Sequence, residues 1–407
     1  MTQSALQVFD DNEYLGVARE NSSGKIELLQ NGRKVQRYKN VKFASLFDDL
    51  MPDEWASNMI RRTMYSDESL QKRVGGKKYG LSILDKVRVT KDLTRQGSLR
   101  FKEMDSEDFV YGKKDDNGLP VLDNVQTFGE LSEIILEYRR RSIDKGKLKK
   151  LNEYVGSIGG ARPKMSAFNS KGRLSIVKFT SSGDDSVGSP AGEALSIELA
   201  KLCGINVPEF QFFKGEECDA ICIERFDRNL NDRIGYCSIY SLLLSSRGFK
   251  SSRIAMNTIA RILLSSADVD LDNIEFFKRY AFTILINNTD DHLGNIGFLY
   301  NEELRKWMLS PQFDCVPDLN LSVSGRVPVK FEYGCISSAR NRNLEDLIAV
   351  AEDFGIESAT AKDIVDAMIT VVKLNYGELI ERYISEFDKD LYSELFQIQL
   401  EKYEENK

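Results

Sequence analysis

Histidine is almost absent from this chain, which has one residue of this type, His292, among 407. A zinc or iron centre that needs two imidazoles cannot be built from it. The sequence also contains no G-x-S-x-G segment that would present a nucleophilic serine, so we do not expect a Ser-His-Asp hydrolase. This shortage excludes several large classes of hydrolase and metalloenzyme.

Long hydrophobic runs are missing as well. The longest nearly apolar run, residues 281–286, is about six residues, whereas a membrane-spanning helix needs roughly 20. The first residues carry neither a basic nor an apolar stretch of the kind found in secretory signals. We therefore expect a cytoplasmic protein without a membrane partner.

No C-x-x-C pair occurs among the six cysteines, and their scattered spacing predicts free, reduced thiols without bound metal. They are Cys203, Cys218, Cys222, Cys237, Cys315 and Cys335.

An excess of positive charge is also lacking, because 56 Lys and Arg face 63 Asp and Glu, a net charge of −7. General attraction to nucleic acid is therefore not expected. One local stretch, residues 139–150, carries seven basic residues and the single acid Asp144. It is read either as a solvated helix end or as a contact for nucleic acid or an acidic partner.

The distribution of apolar residues predicts a mixed α and β chain of two to three domains. Alternation around residues 10–12 predicts an N-terminal hairpin, and the polar stretch 102–126 marks a boundary. A helix is expected from about 127 to 141. Beyond 156 we expect a hairpin, a strand, a helix and a strand. From about 234 onward nearly everything is expected to be helical except residues 295–311.

The segment from Asn287 to Gly297 is the most specific in the chain. Asp290 and Asn295 are five residues apart, the offset of the catalytic Asp and the magnesium-binding Asn in protein kinases. Asp and Asn are also common in turns and caps, so a structural role stays open.

Two predicted strands, 296–300 and 306–309, follow this segment and return the chain to Asp314. Kinases use such a hairpin to bring a magnesium-binding Asp beside the catalytic loop. Asp314 is therefore the candidate metal ligand.

Upstream, glycines cluster at 156–160 before a predicted hairpin of 163–168 and 173–179. Glycines let backbone amides approach phosphate, although such a cluster can also be only a turn. Lys178 lies within an apolar strand and needs an anionic partner. Glu193, in a helix predicted from 192 to 202, is the nearest suitable carboxylate, or else a first-turn acid that favours the helix dipole.

A strand from 220 runs into the polar connection at 224–228, where a nucleotide site would have its hinge. Backbone groups of Glu224 to Phe226 could bond an adenine edge, and Phe226 could equally be core. The order of glycine loop, lysine strand, glutamate helix, hinge, Asp/Asn loop and metal Asp is that of kinases.

Several longer motifs resemble the HipA family of bacterial serine/threonine kinases, the toxins of HipBA-type toxin-antitoxin modules. The similarity extends over almost the whole chain, and the motifs that carry it lie at 46–52, 92–101, 157–164, 205–208, 224–228, 289–295 and 309–314.

The resemblance implies a role for each matching residue. Asp290 would be the catalytic base within a loop that keeps His292, and Asn295 with Asp314 would bind Mg²⁺. The ATP-binding set would comprise Ser157, Gly159, Gly160, Ala161, Lys178, Glu224 and Phe226, supported by Lys164 and Glu193. Ser157 also matches the serine that the family phosphorylates on itself. Asp291 departs from the family, in which a glycine is common at this position.

The same resemblance implies an α+β fold of two kinase-like lobes, with a small N-terminal α/β subdomain and a mostly helical C-terminal lobe. The expected divisions are a subdomain at 1–105, a linker and basic helix at 106–150, the nucleotide-binding part of the small lobe at 151–230, and the helical lobe at 231–407.

The implied partners are a HipB-like helix-turn-helix antitoxin, operator DNA reached through that antitoxin, and a protein substrate such as an aminoacyl-tRNA synthetase. Two alternatives stay open: a weakly active or inactive corepressor of the same fold, and a small-molecule kinase.

Overall fold

The computed structural model describes residues 5–22, 24–30, 49–51, 54–112, 118–122, 124–156, 160, 162–180, 189–229, 232–242, 256–319 and 344–404. The chain forms two compact units, and each is assembled from two separate stretches. The first unit contains Met1–Ser181 and Phe213–Gly248, and the second contains Ser182–Phe212 and Phe249–Lys407.

Helices occur in both units and dominate the second. They are α1 (Glu54–Met64), α2 (Glu68–Arg73), α3 (Ile83–Val89), α4 (Val125–Arg139), α5 (Lys145–Tyr154), α6 (Pro190–Leu202), α7 (Met256–Leu264), α8 (Asn273–Leu285), α9 (Leu344–Ala349), α10 (Ser358–Tyr383) and α11 (Lys389–Glu404).

The strands are short and mostly antiparallel. They are β1 (Ala5–Asp10), β2 (Glu13–Glu20), β3 (Ile26–Gln30), β4 (Leu99–Lys102), β5 (Val121–Leu122), β6 (Lys164–Asn169), β7 (Leu174–Phe179), β8 (Phe210–Phe213), β9 (Ala220–Glu224), β10 (Arg228–Asn229), β11 (Asp232–Arg233), β12 (Tyr236–Ser238), β13 (Val269–Asp270), β14 (Gly297–Asn301) and β15 (Lys306–Leu309).

A four-stranded antiparallel sheet in the order β3-β2-β1-β4 begins the first unit. Alternate residues of β1 are buried, as expected for a sheet with one face on the core. The β1–β2 turn places Asp11 at φ 50°, a conformation that Asp tolerates better than most residues. The predicted N-terminal hairpin is therefore present.

A second sheet in the first unit has the order β5-β6-β7-β9-β8, with the division between the units falling inside β8. One face of β6 and β7 contributes Met165, Ala167, Val177 and Phe179 to a core that also contains Trp55. Because side chains alternate along a strand, this packing directs Lys164 and Lys178 to the other face.

The second unit packs α10, its longest helix, against α6, α8 and α11. The α6 helix begins at Ser189, whose side chain accepts a bond from the Gly192 amide, and Pro190 occupies its first turn. A methyl group added at Gly192 would come within 2.3 Å of the Tyr392 hydroxyl, so close packing of α11 requires this glycine.

The expectation of helix beyond 234 outside residues 295–311 is wrong at two places, β12 and β13. In β13, Val269 pairs in parallel with Trp307 of β15. A strand of two residues has no periodicity to detect, and it exists because the neighbouring hairpin offers an edge.

The basic stretch after α4 forms ion pairs with acids of the same unit. Arg140 pairs with Glu217, Lys147 with Glu137, and Lys149 with Asp67 at 3.4 Å. These contacts agree with the interpretation of a solvated helix end.

No helix among the described residues is both long enough and apolar enough to cross a membrane. The five cysteines of the described ranges are buried and free of disulfides, and Cys335 lies outside those ranges.

Candidate active site

Two lysines lie directly opposite each other on the second sheet of the first unit. Lys164 of β6 and Lys178 of β7 are cross-strand partners in the antiparallel register. Lys164 is only 6% exposed, and Lys178 is half-buried. Like charges in this arrangement repel each other, so the pair is suited to a ligand with several negative charges.

The same face of the sheet carries Ser166 and aliphatic side chains beside the lysines. Ile176 precedes Lys178 on β7, and the register places Ser166 opposite Ile176 on β6, and Ile221 and Ile223 opposite Lys178 and Ile176 on β9. Ile221 and Ile223 are buried and Ile176 is half-buried, so the face has a cationic end and an adjoining, largely buried aliphatic floor.

The glycine segment leads directly to Lys164. Gly160 has φ 106°, and a methyl group added there would come within 2.4 Å of the Lys164 ammonium. The Gly160 carbonyl accepts a bond from the Trp55 amide, and the Trp55 indole donates to the Lys164 carbonyl at 2.8 Å. The predicted site residues Ser157, Gly159 and Ala161 lie outside the described residues.

The predicted hinge begins at the end of β9. The Glu224 carboxylate lies 3.6 Å from Arg173 and accepts a bond from Asn169, at the turn between β6 and β7. The Arg225 amide donates to the Leu174 carbonyl at 2.9 Å, so this amide is taken up by the sheet. Phe226 packs at a ring distance of 6.3 Å from Tyr236.

The charged residues after Glu224 have a structural role that the sequence did not reveal. Arg225 and Arg228 both bind the Asp227 carboxylate, which also accepts a bond from the Gly97 amide at 2.7 Å. Arg225 further donates to the carbonyls of Thr94 and Arg95. The 92–100 segment is thereby fastened to the end of β9.

In the second unit, Asp290 and Asn295 belong to one tight loop. The Asn295 side-chain amide donates to the Asp290 carbonyl at 2.9 Å, and the His292 amide donates to the same oxygen at 3.0 Å. The Asp290 amide donates in turn to the Asn288 side chain at 3.0 Å. The bond from Asn295 uses its nitrogen, so Oδ1 is the atom left to bind a cation.

His292 caps the short 3₁₀ turn Leu293–Asn295. Its Nδ1 accepts a bond from the Gly294 amide at 3.1 Å, so this nitrogen carries no proton. The role seen for this histidine is to shape the loop.

The β14–β15 hairpin returns the chain to this loop. The Asn288 side chain donates to the Cys315 thiol at 3.5 Å, which brings residue 315 against the Asp290 loop. Asp314 itself has φ 57° in the left-handed region. Burial raises the pKa of the Cys315 thiol, as do the carboxylates of Asp291, Glu193 and Asp314, which places these three acids around it.

Asp318 is a site residue that the sequence reasoning missed. Its carboxylate accepts a bond from the Thr289 hydroxyl, and its backbone exchanges bonds with Asn287 at 2.7 and 3.1 Å. The carboxylate is buried and binds Thr289, the residue that precedes the proposed base Asp290, so Asp318 fixes the position of the loop. The sequence signal for this role was a second Asp four residues after Asp314.

The two remaining predicted residues also lie in the second unit. Asp291, the departure from the family, accepts a bond from the Thr283 hydroxyl at 3.2 Å. Glu193 is buried in the first turn of α6. Because Lys178 belongs to the first unit, its pairing with Glu193 stays a prediction.

The structure thus gathers the predicted residues into two groups. Gly160, Lys164, Lys178, Glu224 and Phe226 lie in the first unit, and Glu193, Asp290, His292, Asn295 and Asp314 lie in the second. Amide and carboxylate oxygens such as those of Asn295 and Asp314 are donors that Mg²⁺ prefers, and paired lysines suit phosphates. The residues present therefore fit a magnesium nucleotide.

Comparison with known proteins gives the family. Residues 156–375, more than half of the chain, match the HipA-like C-terminal domain. The chain belongs to the HipA family. The matched range begins at the glycine segment of this HipA-family chain and extends past Asp314.

The chain is also similar to a curated protein and to a solved structure. The putative kinase Y4dM of Sinorhizobium fredii (strain NBRC 101917 / NGR234) is 29% identical over 184 residues, which span 39% of this chain and 44% of Y4dM. HipA in the complex of HipA, HipB and operator DNA from Shewanella oneidensis MR-1 has a TM-score of 0.66 at 14% identity. That match covers 97% of this chain and 95% of the Shewanella chain. The α+β, two-lobed fold of HipA type is confirmed.

Proposed function

We propose that this HipA-family protein is an ATP- and magnesium-dependent kinase that phosphorylates serine or threonine hydroxyls of a cellular protein. The observation that carries the proposal is the opposed pair Lys164 and Lys178 beside the aliphatic floor of Ile176, Ile221 and Ile223. Phosphates suit the two ammonium groups, and an adenine ring would contact the floor at the half-buried Ile176.

The residues of the second unit supply the other half of the chemistry. Magnesium would be held by Asn295 Oδ1 and the Asp314 carboxylate, and it would neutralise charge on the phosphates. Asp290 is exposed on the loop and would accept the proton of the acceptor hydroxyl. Thr289 and Asp318 would hold the loop in position for that transfer.

The structure of a family member supports a proposal for the biological setting. In the Shewanella structure HipA is assembled with HipB and operator DNA. We propose the corresponding role here: a toxin paired with a HipB-like helix-turn-helix antitoxin, which would read the operator. An aminoacyl-tRNA synthetase is the proposed substrate class.

Autophosphorylation on Ser157 is also proposed. Ser157 stands three positions before Gly160 in the glycine segment, and a phosphate there would add about 1.5 to 2 negative charges to that segment. Those charges would repel the phosphates of ATP. Phosphorylated protein should therefore bind ATP more weakly.

The test is incubation of the full chain with radiolabelled ATP, Mg²⁺ and a cell lysate, followed by identification of the labelled species. A labelled protein that is absent without Mg²⁺ supports a protein kinase. A labelled metabolite would point to a small-molecule kinase, and no label above background would favour the inactive corepressor.

A further inference from the structure

A cavity of about 1280 Å³ lies entirely within the first unit. Its wall carries six basic side chains and five acidic ones: Arg73, Arg88, Lys91, Arg100, Arg228 and Arg233, with Asp11, Asp92, Glu103, Glu107 and Asp108. None of the residues proposed above to bind ATP lines it. The cavity is therefore separate from the lysine pair.

Part of this wall belongs to a buried cluster of ions. The Asp92 carboxylate binds Arg95 at 3.0 Å and both Arg100 and Arg233 at 2.8 Å. Its pKa is lowered, because the attraction of these guanidiniums outweighs burial, which raises it.

The second carboxylate of the cluster is Asp227, which binds Arg225 at 2.6 Å and Arg228 at 3.0 Å. Five guanidiniums thus share two carboxylates. Asp11 lies 3.7 Å from Arg100 and is partly exposed, so it offsets only part of the excess. A buried excess of like charge is costly unless another anion balances it.

Arg233 shows where such an anion would bind. Its Nη2 donates to the carbonyl and the carboxylate of Asp92, at 2.7 and 2.8 Å. The side chain is only 7% exposed, and its buried Nη1 has no hydrogen-bond partner among the described residues. Burial lowers the pKa of Arg233, and repulsion from Arg100 and Arg225 lowers it further.

We propose that this cavity binds the phosphate group of a small phosphorylated molecule of nucleotide size. Guanidinium N–H groups form strong charge-assisted bonds to phosphate, and Nη1 of Arg233 is the donor that the cluster leaves for one. The volume exceeds that of typical ligand pockets, which are about 300 to 1,000 Å³, so an organic phosphate has room to enter.

Other lining residues favour a small organic ligand. Phe109 and Tyr111 provide ring surfaces, and the Arg100 guanidinium lies 3.4 Å from the Phe109 ring centroid.

The experiment uses the full-length chain in low-salt buffer and calorimetry with inorganic phosphate, pyrophosphate and AMP. It is run in wild-type protein and in Lys178→Met, which disables the proposed ATP site. Saturable binding that remains in Lys178→Met belongs to the cavity. Arg100→Gln should weaken that binding about tenfold to a hundredfold, as expected for loss of a guanidinium charge beside the phosphate.

Two further variants keep the result interpretable. Arg233→Lys retains the charge without the planar fork and should weaken binding to a smaller extent than Arg100→Gln. Arg261→Gln, an exposed arginine of the second unit, should have no effect. Tighter binding of AMP than of inorganic phosphate assigns an organic ligand, and equal binding assigns inorganic phosphate to the same site.

The proposal is overturned if none of the three probes binds saturably, or if binding is unchanged in both Arg100→Gln and Arg233→Lys. It is also overturned if binding appears only after Asp115→Asn and Asp116→Asn. These acids stand in sequence between Gly112 and Gly118, which line the cavity, and the chain's own carboxylates would then balance the arginines. Loss of phosphotransfer with binding retained would refute the kinase proposal alone.

Discussion

Lys164 and Lys178 are direct cross-strand partners in a sheet that buries the first and half-buries the second. Two ammonium groups in this position suit a ligand with several negative charges. The register of a simple hairpin thereby sets the two cations on which the proposed nucleotide site depends.

Lys164→Met and Lys178→Met are therefore each expected to weaken Mg-ATP binding about tenfold to a hundredfold, because each removes a charge-assisted bond to phosphate. The stability of the ligand-free protein is measured beside the affinity, so that loss of a phosphate contact is separated from general destabilisation. Thermal unfolding with and without Mg-ATP measures both quantities. Lys171→Met, at the exposed hairpin turn, is the matched control, and an equal loss of ATP affinity there would contradict a specific role for the pair.

Asp314→Ala should abolish phosphotransfer, because it removes the carboxylate that would hold Mg²⁺. The dependence of ATP binding on Mg²⁺ should disappear as well, which titration of Mg²⁺ at fixed ATP detects. Glu303→Ala, in the turn of the preceding hairpin, is the control. A normal Mg²⁺ dependence in Asp314→Ala would remove Asp314 from the metal site.

Asp227→Asn should destabilise the protein by about 3 to 5 kcal/mol at neutral pH, because Arg225 and Arg228 would lose their buried counter-ion. In the folded protein these arginines hold the pKa of Asp227 below its ordinary value of 3.8, although burial raises it. The stabilisation is therefore complete above that value and is lost as the pH falls through the folded pKa.

Urea unfolding of wild type and Asp227→Asn measures this dependence. The difference between them should be constant from pH 7 to about 5 and should shrink below about pH 4, where the unfolded carboxyl is protonated. A difference that grows on acidification would be the wrong sign for an ion pair of this kind.

Phosphate on Ser157 should appear in protein expressed without its antitoxin and should be missing from the Asp290→Asn variant. Intact-mass and peptide mass spectrometry detect it. ATP affinity of the phosphorylated form should fall steeply, because the added charges would repel the phosphates of ATP. Absence of the modification from both proteins would leave Ser157 as a small residue of a turn.

The β6–β7 hairpin was predictable from sequence, because the turn residues 169–172 separate two apolar strands. Its register was not: counting outward from 168 and 173 would pair position 164 with 177, whereas the structure also pairs Asn169 with Arg173 and so sets Lys164 opposite Lys178. The β14–β15 hairpin was predicted for the same local reason, and β14 begins and ends within one residue of the expected range.

Non-local features could not be predicted in this way. Asp227 accepts a bond from Gly97, and Arg233 donates one to Asp92. The two residues of each pair are more than 100 positions apart in sequence. Asp318 likewise acts through Thr289 and Asn287, which only the packed loop brings within reach. Sequence patterns report periodicity and turns, whereas these contacts depend on how separate segments pack.

The division of the chain illustrates the same limit. Strands β9 to β12 belong to the first unit although α6 lies between them and β7 in sequence and belongs to the second. A division of the chain into consecutive domains cannot describe units that are each built from two separate stretches. The four divisions expected from sequence stay a prediction.

The most direct measurement compares phosphotransfer and nucleotide binding in wild type and Asp290→Asn at saturating Mg-ATP. Because Asp290 would act on the acceptor hydroxyl and not on ATP, the variant should bind Mg-ATP with affinity near that of wild type. Transfer of labelled phosphate to protein should fall by at least about a hundredfold, the lower end of general-base contributions. Undiminished transfer by Asp290→Asn, or no Mg-ATP binding by the wild-type protein, would contradict a kinase built on this loop.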